Sequence, residues 1–310
     1  MKIVFMGTPD FAESILNALI ESSHTVTAVV TQPDKQKGRG KEVQFSPVKE
    51  CALKHGIQVL QPERIKAPEA VEELKTLDAD IFVVAAFGQI LSKEILDMPR
   101  YGCINVHASL LPKYRGAAPI QWSVINGDQE TGVTIMQMNE GMDTGDMILK
   151  TVVPITSEDT GDSMYEKLAT AGAALCTDVL DMIENGELHA TVQDSTEATY
   201  AKRLTKEMGH IRFSKSAVEI ERLIRGLNSW PSAYTYLNGK TFKIWKAKVL
   251  DREATGTPGT VAEVTKQSII VNTGDGLLEL LEVQLEGKKR MVTACFLLGY
   301  PVTVGTAFEE

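Results

Sequence analysis

The sequence predicts two parts: an α/β domain on a mostly parallel, doubly wound sheet, and after it a small antiparallel β domain. Three features carry this reading. In the first part short apolar runs alternate with helical stretches, the order that produces a parallel sheet covered by helices. One of those runs, Asp80 to Ala86, is almost wholly apolar, as a strand buried on both faces must be. From Ala233 onward the texture changes to about five short alternating segments separated by Asn238-Gly239, Thr257-Pro258-Gly259 and Gly274-Asp275-Gly276. The first part is therefore expected to be Rossmann-like and the second an OB-type β-barrel.

Taken in order, Lys2 to Met6 is an apolar strand, Gly7-Thr8-Pro9-Asp10 a turn, and Phe11 to Leu16 the start of a helix. Strand, glycine turn and helix open a nucleotide-binding type of unit, but the three-glycine fingerprint of dinucleotide binders is missing, which disfavours a nicotinamide oxidoreductase. Thr25 to Thr31 is the second strand. The polar loop after it, Gln32 to Lys41, carries Lys35, Lys37, Arg39 and Lys41 with Gly38 and Gly40, and reads either as solvated surface or as a phosphate-seeking loop. Ser46-Pro47 opens a helix to about His55, Ile57 to Leu60 is a strand, and Pro68 to Leu77 is a helix. Ile120 to Ile125 is a short helix, and Thr131 to Met138 and Met147 to Ile155 alternate as strands do. Ser163 and Glu166 have the spacing of a capping box for a helix running to about Asn185, with Gly186 as its stop. Ser216 and Glu219 have the same spacing. The expected division is residues 1–188 for the α/β domain, 189–205 for a polar linker, and 206–310 for the barrel.

Composition narrows the class. Hydrophobic content of 43% and charged content of 24% are those of a globular chain, and no apolar run approaches the roughly 20 residues that span a bilayer. Met1-Lys2 leads straight into a strand with no cleavable apolar leader, so a cytoplasmic location is expected. Cys51, Cys103, Cys176 and Cys295 have neither metal nor disulfide spacing and read as buried free thiols. The net charge of −9 argues against indiscriminate nucleic-acid binding. It is unevenly spread, however: residues 206–310 hold 14 Lys/Arg against 12 Asp/Glu, and the rest 18 against 29. A near-neutral tail on an acidic body fits a polyanion docked locally. No apolar stripe calls for a partner copy, and a monomer is expected.

The chemistry concentrates where the fifth strand ends. In Cys103-Ile104-Asn105-Val106-His107, Asn105 and His107 stand two residues apart and share a strand face. Ser109-Leu110-Leu111-Pro112 then leaves regular structure. Alone, the pair is equally readable as polar residues satisfied at a sheet end. Placed beside Phe87-Gly88-Gln89-Ile90-Leu91 at the carboxyl edge of a parallel sheet, it lies where such folds bind ligands. A further loop, Asn139 to Asp146, brings Asp143 and lacks the spacing of a calcium loop.

These segments resemble the family of 10-formyl-tetrahydrofolate-dependent formyltransferases along nearly the whole chain. The resemblance rests on Gly7 to Ala12, Thr31 to Asp34 with Gly38 to Lys41, Asn105 to Pro112, Arg115 to Ile120, Gly132 to Met138 and Met142 to Asp146. The basic loop and the terminal barrel are similar to the branch acting on methionyl-tRNA. The resemblance implies transfer of a formyl group from 10-formyl-tetrahydrofolate to the α-amino group of methionine on initiator tRNA, without a metal. His107 is then the expected general base, Asn105 the oxyanion donor and Asp143 the group that orients or charge-stabilises His107. Phe87, Gly88, Gln89, Ile90 and Leu91 with Ser109, Leu110, Leu111 and Pro112 are the expected folate pocket, and Phe11 is placed near the methionine side chain. Lys35, Lys37, Arg39 and Lys41 are expected to grip the tRNA, helped by barrel lysines such as Lys243, Lys246 and Lys248. Two alternatives stay open: the same chemistry on a nucleotide-sugar amine or on water, and a non-catalytic tRNA-binding protein.

Overall fold

The computed structural model describes residues 1–37 and 42–309. The strands and helices of the first half follow the order β1 (Lys2–Gly7), α1 (Asp10–Glu21), β2 (Thr25–Val30), β3 (Lys35–Lys37), β4 (Glu42–Gln44), α2 (Pro47–Lys54), β5 (Gln58–Leu60), α3 (Pro68–Lys75), β6 (Ile81–Ala85), α4 (Lys93–Leu96) and β7 (Cys103–His107). They continue through β8 (Arg115–Gly116), α5 (Pro119–Asn126), β9 (Glu130–Gln137), β10 (Met147–Pro154) and the long helix α6 (Gly161–Glu184). The chain forms two compact units: residues 1–119, 130–154 and 165–201 in one, and 120–129, 155–164 and 202–310 in the other.

A seven-stranded sheet in the order β10-β9-β7-β6-β1-β2-β5 organises the first unit. Its five strands from β7 to β5 are parallel, and β9 and β10 add antiparallel at the other edge. The sheet is thus doubly wound and mostly parallel, as expected. The chain builds outward from β1 on one side and from β6 on the other, so the order reverses between them. That reversal opens a crevice past the strands' carboxyl ends. The alternation of the strands explains the core. Val4 and Met6, Ala28 and Val30, and Phe82 and Val84 all present the same face to Val71 and Leu74 of α3 and to Ile95 and Leu96 of α4. At the end of β1 a side chain on Gly7 would meet the Cβ of Ala12 at 2.6 Å and the carbonyl of Ala85 at 2.8 Å. Only glycine lets α1 leave the sheet so closely.

The stretch expected as a linker is largely built into this unit. Thr191 exchanges backbone hydrogen bonds with Met147 (2.8 Å each), and β11 (Tyr200–Ala201) pairs in parallel with β8. Its polar, weakly periodic sequence reflects an edge held by backbone hydrogen bonds, which need no apolar pattern. The cap of α6 also differs from expectation. Thr160 and Ser163 exchange side-chain-to-backbone bonds of 3.1 and 3.0 Å, so the box begins three residues before Ser163 and Glu166 takes no part. The Ser163 hydroxyl donates onward to Asp159 at 2.7 Å.

In the second unit α7 (Ala217–Gly226) opens on the expected Ser216–Glu219 box. Lys215 and Ser216 bonded to the Glu219 carboxylate hold it down at about 2. Then β12 (Ala233–Leu237), β13 (Lys240–Leu250), β14 (Val261–Val264), β15 (Ile269–Asn272) and β16 (Leu277–Leu285) form an antiparallel sheet in the order β12-β13-β16-β15-β14, with β17 (Met291–Val292) and α8 (Thr293–Gly299) following. The chain's final residues join the two edges: Val261 N–H donates to Thr306 (2.8 Å) on one side, and Glu309 N–H to Tyr236 (3.0 Å) on the other. That closure makes the OB-type barrel, filled by Phe213, Phe242, Phe296 and Phe308. Irregular register between Ile244 and Ala247 shifts the phase of β13. Lys246 and Lys248 therefore stay exposed on the outward face, where Lys243 has its ammonium 5.5 Å from the ring centre of Trp245.

Among the described residues no helix is long and apolar enough to cross a membrane. Cys51, Cys103 and Cys176 are buried as expected, and Cys295, on α8, is exposed. Burial pushes the thiols of Cys103 and Cys176 up to about 12, so both stay protonated and inert at neutral pH. A thiol reagent is expected to label Cys295 alone in the folded protein and all four cysteines in denaturant. Fast labelling of Cys103 or Cys176 without denaturant would contradict the packing described.

Candidate active site

Asn105 and His107 end β7 at the carboxyl edge of the sheet, between β6 and β9. Asn105 pairs with Val84 and with Met136, and His107 with Thr134. The alternation of a strand sends both side chains to one face. His107 is buried, whereas Asn105 is half-buried and, among the described residues, its amide has no hydrogen-bond partner.

The imidazole is held at one nitrogen. His107 Nε2 lies 3.0 Å from the carbonyl oxygen of Tyr114. A carbonyl only accepts, so Nε2 carries the proton, and in the neutral ring the lone pair belongs to Nδ1. Nδ1 faces Asp143, whose Oδ1 is 3.7 Å away. At that distance Asp143 supplies charge to the ring, while the orienting hydrogen bond comes from the Tyr114 backbone.

Asp143 is itself fixed from several directions. Its Oδ2 accepts from the Gly116 N–H at 2.8 Å, and its carbonyl accepts from Gln193 Nε2 at 2.8 Å. Gln193 also donates to the Gly145 carbonyl at 2.7 Å and accepts from the buried Arg115 guanidinium at 2.8 and 3.1 Å. Gly116, at φ 116°, cannot be replaced by a larger residue: a Cβ there would lie 2.7 Å from the Ala201 carbonyl. Tyr114 and Asp143 both adopt positive φ, 60° and 53°, as does Ala86 at 46° beside the Phe87 segment. Left-handed backbone at three non-glycine residues around one site is held by surrounding contacts rather than by local preference.

The Ser109 to Pro112 turn is anchored by β9. Thr134 Oγ1 donates to the Ser109 carbonyl (2.7 Å) and accepts from the Leu111 N–H (3.1 Å). Ser109 Oγ donates to the Lys113 carbonyl at 2.6 Å, and Lys150 Nζ to the Leu111 carbonyl at 2.8 Å. Ser109 and Leu111 are buried, and Leu110 and Pro112 are half-buried. In the neighbouring loop Phe87 and Leu91 face the core, and Gln89 is spent on bonds to Ile65 N–H and the Pro62 carbonyl. Gly88, at φ 82°, and Ile90, 69% exposed, are the parts left open to a ligand. Phe11 is also packed away, 4% exposed, with its ring edge-on to Tyr165 at 5.8 Å.

Arg39 and Lys41 lie outside the described residues, as do the side chains of Lys35 and Lys37. Just before that loop Asp34 is bonded to Lys49 and to Gln61, and those bonds, the Lys49 one foremost, hold its carboxyl below the usual range.

Sequence reasoning missed Thr134, Gln193, Tyr114 and Lys150 as supports of the site. Thr134 had a usable signal: it is a hydroxyl on the inward phase of a strand otherwise buried among Val133, Ile135 and Met136. Gln193 had none, since it sits in the stretch that read as linker. Its removal provides a direct test. Gln193→Ala leaves the buried Arg115 cation without its main acceptor and frees the Asp143 loop. The expected loss is about 1.5–3 kcal/mol in urea unfolding, the scale of a hydrogen bond to a charged group. An unchanged midpoint would show that the network carries no load.

Known proteins agree with this architecture. The family model described as formyl transferase matches residues 1–180, and the model of the formyl transferase C-terminal domain matches residues 203–301. The chain is 59% identical over 308 residues to the methionyl-tRNA formyltransferase of Agathobacter rectalis, covering 99% of both chains. It is 52% identical to the protein of that name from Lachnospira eligens, covering 100% of both. Among solved structures, WlaRD, a sugar 3N-formyl transferase in the presence of dTDP and 5-N-formyl-THF, superposes with a TM-score of 0.68 at 21% identity, over 93% of this chain and 99% of that one. HypX from Aquifex aeolicus in complex with tetrahydrofolic acid gives 0.65 at 17% identity, over 96% of this chain and 47% of that one. On the match to both of its domains and on identities above one half over the full length, the chain belongs to the formyl transferase family.

Proposed function

We propose that the chain transfers the formyl group of 10-formyl-tetrahydrofolate to the free α-amino group of methionine on initiator tRNA, giving N-formylmethionyl-tRNA. The acceptor is supported by full-length relatives that carry the name methionyl-tRNA formyltransferase. The observation that carries the residue assignment is the state of the Asn105–His107 pair: an amide with no hydrogen-bond partner among the described residues, beside an imidazole whose held Nε2 leaves a lone pair on Nδ1.

The neutral amine of methionine attacks the formyl carbon, and the C=O π electrons move onto oxygen. Asn105 donates an amide N–H to that oxyanion. His107 Nδ1 takes the proton from the new ammonium, and Asp143, 3.7 Å from Nδ1, stabilises the imidazolium that results. Nε2–H stays on the Tyr114 carbonyl throughout. The tetrahedral species then collapses: C=O re-forms, the bond to the donor nitrogen breaks, and that nitrogen receives the proton from His107. Open backbone at Gly88 and the exposed Ile90, with the half-buried Leu110 and Pro112, offer an apolar and peptide-lined seat for the flat pteridine of the donor. Lys35, Lys37, Arg39 and Lys41 meet tRNA phosphates, and Lys243, Lys246 and Lys248 add to the attraction from the barrel.

His107→Ala is expected to abolish formylation with folding and tRNA binding retained. Asn105→Ala is expected to lower turnover by about 10²–10³, the usual loss of one oxyanion donor. Both are read in a single-turnover assay with methionyl initiator tRNA, methionyl elongator tRNA and a nucleotide-sugar amine as parallel acceptors. Near-normal turnover in His107→Ala would refute the general-base role, and preference for the sugar amine would refute the acceptor. Neutralising Lys35, Arg39 and Lys41 together should weaken tRNA use and flatten its dependence on salt, with folate affinity unchanged. Loss of folate binding instead would reassign the loop.

A further inference from the structure

Past the carboxyl ends of β2 and β5, a set of side chains joins the foot of the basic stretch to the loop after β6. β3 and β4 pair antiparallel with Lys35 opposite Gln44, so Asp34 and Phe45 flank the foot of that pair. Lys49 of α2 gathers both: its ammonium donates to Asp34 Oδ2 and lies 3.9 Å from the centre of the Phe45 ring. Only 13% exposed, it also donates to Gln61 Oε1 at 2.7 Å, so this cation is committed to the support. Gln61 Nε2 donates to the second Asp34 oxygen and to the Gln32 carbonyl, both at 2.9 Å. Gln32 in turn donates from its own Nε2 to the Phe87 carbonyl at 3.0 Å.

That last bond bears on the donor seat. The Phe87 carbonyl and the Gly88 N–H belong to one planar trans peptide and point to opposite sides of it. Holding the oxygen on Gln32 therefore fixes where the N–H is aimed. Ala86, just before this peptide, has φ 46°, a conformation kept by outside contacts of this kind. The Lys49–Asp34 pair thus holds one loop and the Gln32–Phe87 bond the other, and Gln61 is the side chain bonded to both supports.

We propose that Gln61 and Gln32 are positioning residues that couple the two substrates, so that tRNA and folate donor each bind more tightly when the other is in place; this rests on the function proposed above. A tRNA that fixes the foot of β3 and β4 restricts Gln61, then the Gln32 peptide, then the peptide between Phe87 and Gly88. The donor finds that loop already ordered and loses less conformational entropy on binding. By linkage the donor favours the tRNA to the same degree.

The test uses the full chain, titrated with methionyl initiator tRNA and with 5-formyl-tetrahydrofolate, a stable isomer of the donor, each alone and with the other saturating. In the wild type each ligand is expected to tighten the other by one shared factor, about 5–150-fold. Gln61→Met keeps the side-chain volume, the Lys49–Asp34 pair and the Gln32–Phe87 bond, and cuts only the link between them. Each ligand alone should then bind within about threefold of wild type, while the coupling factor falls to about one. Gln32→Met releases the Phe87 carbonyl, so it should lose the coupling and also weaken the folate alone by about three- to tenfold, the scale of one hydrogen bond. A merely structural role would lower the urea midpoint of both variants and leave the coupling factor at its wild-type value, which would overturn the proposal. A wild-type factor near one would overturn it as well, with the proposed function intact. Should Gln61→Met fail to fold, the coupling factor of Gln32→Met decides. Wild-type protein that binds the folate but no tRNA would instead refute the proposed acceptor, and the coupling with it.

Discussion

The site depends on how Asp143 is held. A carboxylate placed against a buried imidazole must be fixed on its other side, or it turns toward water and its charge is screened. Here the Gly116 N–H takes one oxygen, and Gln193 takes the backbone of the same residue. Gln193 is in turn set by Arg115, whose buried guanidinium can be left in a low-dielectric place only if its donors are met. Removing any one member strands a polar group belonging to another. The network is therefore costly to leave incomplete, and that cost keeps a loop at positive φ in its working position.

The same economy appears at His107. The base role proposed for it requires one tautomer, because a ring with the proton on the wrong nitrogen presents a donor where an acceptor is needed. The choice is made by a backbone carbonyl, which no side-chain substitution removes. Thr134 does comparable work for the adjoining turn, serving as donor to one backbone group and acceptor from the next. A valine of the same shape would fill the space and leave the Leu111 N–H without its bond.

What could be read from the chain alone was whatever is carried by pattern. The unbroken apolar stretch at β6 and the glycine turn after β1 disclosed the parallel sheet, and the glycine-punctuated alternation after Ala233 disclosed the barrel. The Asn105–His107 pair was legible because strand alternation fixes a shared face. Other parts were hidden for physical reasons. Phe87, Leu91 and Phe11 lie in segments that resemble a ligand pocket, yet large apolar side chains beside a sheet gain more from the core than from lining a cleft. The Thr160 cap was masked because Ser163 and Glu166 offered an equally good spacing, and spacing does not say which hydroxyl reaches the free N–H groups. Gln193 was invisible because a glutamine that satisfies three partners leaves no periodic trace.

The placement of Gln193 bears on how proteins of this architecture can exchange parts. A natural crossover or gene fusion tends to join chains in polar, irregular stretches, and residues 189–205 look like such a seam. A joint made near residue 190 would pair the Asp143 loop of one parent with the supporting amide of another. Residues 120–129 and 155–164 also belong to the second compact unit, so the boundary crosses the chain more than once. Hybrids assembled at the apparent seam would inherit both halves of the fold but take the Asp143 loop and its supporting amide from different parents.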